Sequence, residues 1–262
     1  MKSIHTHGSA FSLTAPYYDK IYETRNLSQD IRLIRFYLKK YIKNRHPISL
    51  LDLGCGTGAH ALALTGKDIL VTGLDRSGEM LHVAQEKAKQ LEKPLTLIKG
   101  DILAYTPTKR FDSVISMFDV LSYMTTDKQI CGFFSVFSRT LSGKGIGIFD
   151  CWYGPGVLSL RPKNIVRTHR IQDITVIRKK IPILHHETNT VSVRHHLQLK
   201  RRGGLPEVIE EVHEMRYFFY PEIARYLHDA GLEILSWGNL PLPLRIPKEA
   251  PWSTCFVVRH KS

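Results

Sequence analysis

Ile48-Ser49-Leu50-Leu51-Asp52-Leu53-Gly54-Cys55-Gly56-Thr57-Gly58 decides the fold of this 262-residue chain. The apolar run ending at Leu53 suits a buried strand, glycines follow it at once, and Ala59 to Leu64 then supplies good helix formers. The order is strand, glycine loop, helix. At such a corner the backbone can approach a ligand that a Cβ would hold off, and a helix N-terminus faces the same space.

Outward from this corner the alternation repeats. Ile69 to Leu74 reads as a strand, Ser77 to Leu91 as a helix, Leu95 to Lys99 and Ser113 to Met117 as strands, Phe133 to Leu141 as a helix, and Ile146 to Phe149 as a fifth strand. Strands alternating with helices imply right-handed crossovers and a mainly parallel sheet covered on both faces. Upstream, Ile31, Ile34, Phe36, Leu38 and Ile42 fall among charges, so the second half of Tyr17 to Lys43 reads as a helix ending before Pro47. After Asp150 the rhythm changes. Ile171 to Ile177, Val191 to Leu199 and Glu207 to Phe219 are alternating or β-branched runs between turn residues, the pattern of antiparallel strands. Pro221 to Ala230 then reads as a helix stopped by Gly231, and Leu232 to Trp237 and Thr254 to Val258 as the last strands. The expected fold is α/β, a doubly wound and mainly parallel seven-stranded sheet with an inserted antiparallel β segment. The expected division is an N-terminal helical lid over 1–46, a core over 47–150 and 220–262, and the insert over 151–219.

Asp75 directly follows the second strand, about 20 residues beyond the glycines, where a carboxylate can accept both hydroxyls of a ribose. An aspartate there also suits a helix cap for the segment starting near Ser77. Two ligands fit a glycine loop paired with such an acid: a dinucleotide and S-adenosylmethionine. The dinucleotide pattern Gly-x-Gly-x-x-Gly is not met, because Gly58 comes one residue early. Asp52 beside the glycines would repel a pyrophosphate and suits the ammonium of a methionine moiety. The residues therefore favour S-adenosylmethionine.

Leu51 to Gly58 together with Asp75, Gly100-Asp101-Ile102 and Phe111-Asp112-Ser113-Val114-Ile115-Ser116-Met117 resembles the class I S-adenosylmethionine-dependent methyltransferases over residues 17–150. The resemblance implies that Gly54 and Gly56 face the methionyl part and that Asp75 holds the ribose. Asp101 and Ile102 would border the adenine and Met117 would line the cleft, with Tyr18, Arg76 and Met80 completing the cofactor site. More narrowly, Ala15-Pro16-Tyr17-Tyr18-Asp19 and Ser116-Met117-Phe118-Asp119-Val120-Leu121-Ser122-Tyr123 resemble small-molecule N-methyltransferases acting on nucleotide-linked aminosugars and on glycine. That likeness places Tyr18 and Tyr123 in the acceptor pocket. The longer basic insert departs from the aminosugar pattern and leaves the acceptor open. Inserted β segments of similar enzymes often make dimer contacts, so a homodimer through this one is expected.

Methyl transfer to an amine needs an unprotonated acceptor, and transfer to a hydroxyl needs a base. Tyr123 and His213 are the candidates to orient the acceptor and take its proton. Trp152, Tyr153, Arg161 and Arg216 are the candidates to hold its body. His185-His186 and His195-His196 lie in the inserted strands, where neighbours point to opposite faces, so each pair offers one residue to any site and no zinc set is completed. No metal is expected.

The formal charge is +13. Between Cys151 and Gly204 eleven Lys or Arg stand against Asp173 and Glu187, which puts +9 in that segment (11 − 2). This field favours an anionic partner: an anionic small-molecule acceptor, or nucleic acid. RNA methylation using the basic segment therefore stays open, as does a non-catalytic scaffold that only binds the cofactor. Against RNA, the fourth strand does not end in the Asn/Asp-Pro-Pro-aromatic signature of base-amine methyltransferases. Cys55, Cys131, Cys151 and Cys255 form no paired ligand pattern and are expected reduced. Met1 to Ala10 lacks the basic-then-apolar order of a secretory leader and no apolar run spans a bilayer, so a cytoplasmic location and no membrane partner are expected.

Overall fold

A computed structural model describes residues 4–5, 14–23, 26–43, 46–239, 242–246 and 249–261; the leader reading over Met1 to Ala10 and part of the 1–46 lid lie outside them. In chain order the strands are β1 (Ile4–His5), β2 (Ile48–Leu53), β3 (Ile69–Asp75), β4 (Leu95–Lys99), β5 (Phe111–Ser116), β6 (Leu141–Trp152), β7 (Ile165–Ile171), β8 (Ile174–His185), β9 (Thr190–Arg201), β10 (Glu207–Arg216), β11 (Leu232–Gly238) and β12 (Ser253–His260). The α-helices are α1 (Tyr18–Ile21), α2 (Leu27–Tyr41), α3 (Ala59–Leu64), α4 (Gly78–Gln90), α5 (Asp127–Thr140), α6 (Gly154–Leu160) and α7 (Tyr220–Asp229).

The main sheet has seven strands in the order β11-β12-β6-β5-β2-β3-β4, parallel except at β12, which runs antiparallel to β11 and β6. The alternation along β2 explains its two covered faces. Leu51 and Leu53 pack with Phe133, Phe134 and Phe137 of α5, while Leu50 packs with Leu33, Ile34 and Tyr37 of α2 and Ala61 of α3. From β2 the chain steps outward to β3 and β4 on one side and to β5 and β6 on the other. This reversal leaves a crevice at the carboxyl ends of β2 and β5, where ligands bind in open α/β sheets.

The second sheet has the order β1-β10-β9-β8-β7, antiparallel apart from the parallel β1·β10 pair. A strand inside the expected helical lid is thus a correction. The stretch Ile171 to Ile177 is also not one strand: Gln172, at φ 53°, turns the chain between β7 and β8. The short helix α6 opens the insert, where only strands were expected. Helix α5 begins six residues before Phe133, because Thr126 and Gln129 form a capping box that the apolar pattern does not reveal. Strand β6 likewise starts at Leu141 and runs through Gly143-Lys144-Gly145, and β10 stops at Arg216 rather than Phe219. No helix among the described residues is long and apolar enough to cross a membrane.

Candidate active site

The glycine corner is built as its composition requires. Gly54 and Gly56 adopt φ values of 76° and 54°, which L side chains rarely hold. A Cβ on Gly54 would strike Val120 at 2.8 Å, so the turn after β5 rests directly on this loop. A Cβ on Gly56 would meet nothing within 4 Å, which leaves open space over the loop for a ligand. Asp75 ends β3 with one carboxylate oxygen accepting from the Gly56 N–H and the other from the Ser77 N–H, both at 2.8 Å. The capping of α4 falls to Ser77, whose hydroxyl accepts from Met80 N–H at 3.2 Å. Each Asp75 oxygen keeps lone-pair capacity for a ribose hydroxyl.

Asp52 is 2% exposed, and its Oδ2 has no hydrogen-bond partner among the described residues. Burial, aided by nearby Asp75 and opposed by His60, pushes its carboxyl up to about 6. An orphaned carboxylate oxygen beneath a glycine loop is the partner a methionine ammonium requires, and the open space at Gly56 admits that moiety. The residues present therefore fit S-adenosylmethionine. Of the other cofactor candidates, Met80 and Ile102 are buried beside the crevice strands, Met117 is buried in the layer under α2 and α3, and Arg76 is exposed. Asp101 is exposed and caps the turn at Ile102, accepting from Leu103 N–H at 2.8 Å.

Helix α1 closes the crevice. Tyr18 packs on Tyr22 at 4.6 Å between ring centroids and on Phe118 at 6.1 Å. The next residue, Asp19, accepts from the Thr57 hydroxyl at 2.5 Å and pairs with Lys87, whose ammonium also donates to the Thr57 carbonyl at 3.1 Å. This latch between lid and glycine loop was not singled out from the sequence, although Asp19 directly follows the tyrosines that were.

Tyr123 and His213, 90 residues apart, meet across the crevice: Tyr123 Oη lies 2.9 Å from His213 Nδ1. His213 Nε2 is 3.2 Å from Glu211 Oε2, and Glu211 in turn accepts from the Thr14 hydroxyl at 3.2 Å. An ionised Glu211 can only accept, which places the imidazole proton on Nε2 and leaves Nδ1 to accept from the Tyr123 hydroxyl. Burial, reinforced by the neighbouring tyrosines and acids, holds the Tyr123 phenol well above its ordinary value, so it remains a protonated donor. His195 packs against His213 at 4.6 Å; burial together with His213, Lys180 and Arg178 pushes it down to about 2, leaving a neutral ring. In the sequence His195 stood out only as one of a histidine pair and Glu211 was given no role, because only the pairing register turns them inward.

The four candidates for holding the acceptor's body do not converge. Trp152 packs on Trp252 at 5.1 Å, and its backbone N–H donates to the hydroxyl of Ser122, next to Tyr123. Tyr153 turns the other way, toward Trp237 at 6.1 Å, as the alternation of a strand end dictates. Arg161 is exposed at the end of α6. Arg216 serves structure: its guanidinium pairs with Asp127 at 2.9 Å and Glu222 at 2.5 Å, joining β10 to α5 and α7. Its two terminal nitrogens are engaged within the protein, and its Nε has no partner among the described residues.

The glycine corner, Asp75 at the end of β3 and the crevice at the strand switch are features of a class I S-adenosylmethionine-dependent methyltransferase. Residues 50–145 match the methyltransferase domain family. The chain is similar to the putative methyltransferase GWCH70_2453 of a Geobacillus species, 27% identical over 224 residues that cover 84% of this chain and 88% of the relative. It is also similar to the dTDP-3-amino-3,4,6-trideoxy-alpha-D-glucopyranose N,N-dimethyltransferase of Streptomyces venezuelae, 29% identical over 116 residues, 44% of this chain and 47% of that enzyme. In fold it resembles the sugar N-methyltransferase KedS8 of a Streptoalloteichus species, with a TM-score of 0.80 at 20% identity over 100% of this chain and 98% of that one. The chain is accordingly an enzyme that uses S-adenosylmethionine, with a resemblance to small-molecule N-methyltransferases.

Proposed function

We propose that this enzyme methylates the amine of a small, anionic or nucleotide-linked biosynthetic intermediate. The observation that carries this reading is the buried hydrogen-bond chain Tyr123–His213–Glu211–Thr14, which ends on the turn that rests on Gly54. The curated aminosugar dimethyltransferase similar to part of this chain supports it.

The bound cofactor supplies an electrophilic methyl group on a sulfonium. The protein's task is to hold an amine lone pair in line with that group and to accept the proton the amine sheds. Alignment of this kind is worth about 7 to 11 kcal/mol in favourable cases. Tyr123 is too weak an acid at its buried position to serve as a phenolate. It instead accepts the amine proton on oxygen as its own proton passes to His213 Nδ1, and Glu211 stabilises the imidazolium formed. Tyr18, Tyr22 and Phe118 exclude water from the crevice.

The test is transfer of labelled methyl from S-adenosylmethionine into the small-metabolite and RNA fractions of a host extract, with Asp75→Ala and Glu211→Gln proteins alongside. Label in metabolites that disappears with Asp75→Ala and falls sharply with Glu211→Gln is expected. Label in RNA alone would overturn the reading and turn the basic insert into the substrate surface.

A further inference from the structure

The turn that follows β5 holds two adjacent residues in the left-handed region, Phe118 at φ 74° and Asp119 at φ 60°. Aspartate visits that region occasionally and a bulky residue such as phenylalanine rarely. Such a pair persists only where its surroundings over-determine it, and it gathers at functional sites. Two bonds to β6 supply the restraint. Asp150, 5% exposed, accepts from the Asp119 backbone N–H at 2.7 Å, which fixes the peptide joining the two strained residues. Three residues on, the buried Ser122 hydroxyl accepts from the Trp152 backbone N–H at 2.9 Å. The restrained segment carries three contacts of the site. Phe118 sets its ring against Tyr18 and, at 5.3 Å between centroids, against Tyr22. Val120 rests on Gly54. Tyr123 ends the 3-10 turn Val120–Tyr123 and meets His213 at 2.9 Å. The glycine loop is held by other bonds: the N–H groups of Gly54 and Cys55 donate to the Leu74 carbonyl at 2.8 and 3.0 Å, and that of Gly56 to Asp75.

We propose that Asp150 is a positioning residue for methyl transfer, whose carboxylate holds Phe118 and Asp119 in the left-handed conformation and thereby sets Phe118 against the lid and Tyr123 on His213. The inference rests on the reading of Tyr123 as the group that takes the acceptor's proton, and adds the residue that fixes its place. Asp150 acts through the Asp119 N–H. Without that bond the pair relaxes toward negative φ, the ordinary region for residues with a Cβ. Ser122 still fastens the far end of the turn, so the change falls on Phe118 and on the approach to Tyr123, while the bonds of the glycine loop stay in place.

The test compares initial rates of labelled methyl transfer from saturating S-adenosylmethionine in a host extract, read in whichever fraction takes label, so that its result does not depend on the class of acceptor. Asp150→Ala is expected to lose about tenfold or more, the scale of a small misplacement at a reacting centre, while calorimetry finds its affinity for S-adenosylhomocysteine little changed. Asp150→Asn keeps an oxygen for the Asp119 N–H and should recover most of the rate. Glycine takes positive φ without the Cβ cost, so adding Asp150→Ala to Asp119→Gly should lose only about threefold relative to Asp119→Gly alone. A merely structural role for Asp150 would not be compensated at residue 119. Hydrogen exchange over 117–123 reads the bond without turnover and should quicken in Asp150→Ala but not in Asp150→Asn. If Asp150→Ala fails to fold, Asp150→Asn and the comparison on Asp119→Gly decide the matter. An Asp150→Ala protein as fast as wild type, a loss that is equal in both backgrounds, or unchanged exchange would overturn the proposal. Tyr123→Phe, assayed alongside, tests the relay by itself: a rate equal to wild type would sink the relay, and the exchange data would still report whether Asp150 holds the turn.

Discussion

Asp52→Asn should stabilise the cofactor-free protein and weaken the cofactor. Burial raises the Asp52 carboxyl from 3.8 to about 6, a difference of 2.2 units that corresponds to about 3 kcal/mol. The folded state therefore binds this proton more tightly than the unfolded state does. Stability on this account is greatest below pH 3.8, falls as pH rises toward 6, and stays reduced above it. At pH 7.5 the neutral amide avoids this penalty, a gain of up to about 3 kcal/mol and a melting temperature higher by about 6 °C or more. In the complex the sign reverses, because the methionine ammonium stabilises the carboxylate; losing that charge-assisted contact should cost about 2 kcal/mol, roughly thirtyfold in affinity. Thermal melts at pH 5, 6 and 7.5, with and without S-adenosylhomocysteine, read both effects. Binding at pH 6, measured in buffers of different ionisation heat, should release about half a proton. A cofactor-free Asp52→Asn protein that melts at or below the wild-type temperature at pH 7.5, or binding without proton release, would refute the reasoning.

Glu211→Gln should lower kcat by about 10- to 100-fold in steady-state assays while the KM for S-adenosylmethionine stays put, since it weakens the base and not the cofactor site. Asp19→Asn breaks the latch to Thr57 and Lys87; its carboxylate is 46% exposed, so solvent discounts the loss to about 1 kcal/mol, a roughly fivefold higher Kd for S-adenosylmethionine by titration. Tyr37→Phe removes a buried hydroxyl that pairs with Ser236 and accepts from Leu244 N–H at 2.9 Å; a loss of about 2 kcal/mol in denaturant unfolding is expected. Gly54→Ala must place a Cβ against Val120 at φ 76°, so calorimetry should find cofactor binding strongly impaired and melting should fall by an amount equivalent to about 1 to 3 kcal/mol.

What was legible in the sequence was what depends on near neighbours in the chain. The strand-loop-helix corner, the acid after β3 and the alternation of apolar runs each fix local geometry that the long-range contacts reinforce, and β2, α3 and β4 fall at their expected boundaries. The errors came where another signal overrode apolar periodicity. A capping box carried α5 back to Asp127, and a two-residue turn at Gln172 and Asp173 divided a run that reads as continuous. Arg216 shows a different limit: a basic residue near a site looks the same in sequence whether its guanidinium is open to a ligand or its terminal nitrogens are engaged by Asp127 and Glu222.

The insert illustrates why the acceptor side stayed largely hidden. Its sequence offers two histidines in succession, His195 and His196, facing two successive glutamates, Glu210 and Glu211. The pairing sets His195 opposite Glu211 and His196 opposite Glu210. The inner pair is buried against His213 and the crevice, while the outer pair forms an exposed contact of 3.0 Å. A slip of one residue would exchange the two faces and carry the relay's carboxylate into solvent. The two histidines and two glutamates do not by themselves choose between the faces, but their neighbours do: Val191, Val193, Leu197 and Leu199 share the face of His195, and Ser192, Arg194, Gln198 and Lys200 that of His196. The choice is made by what each face must cover: Val176, Leu197, Leu199 and Ile209 pack with Ile21 of the lid, and that burial fixes the register in which Glu211 stands behind His213. The packing of the lid and the chemistry of the acceptor site are therefore one constraint, and substitutions in the Ile21–Leu197 contact, beside Thr14 and Glu211, should change kcat in steady-state assays.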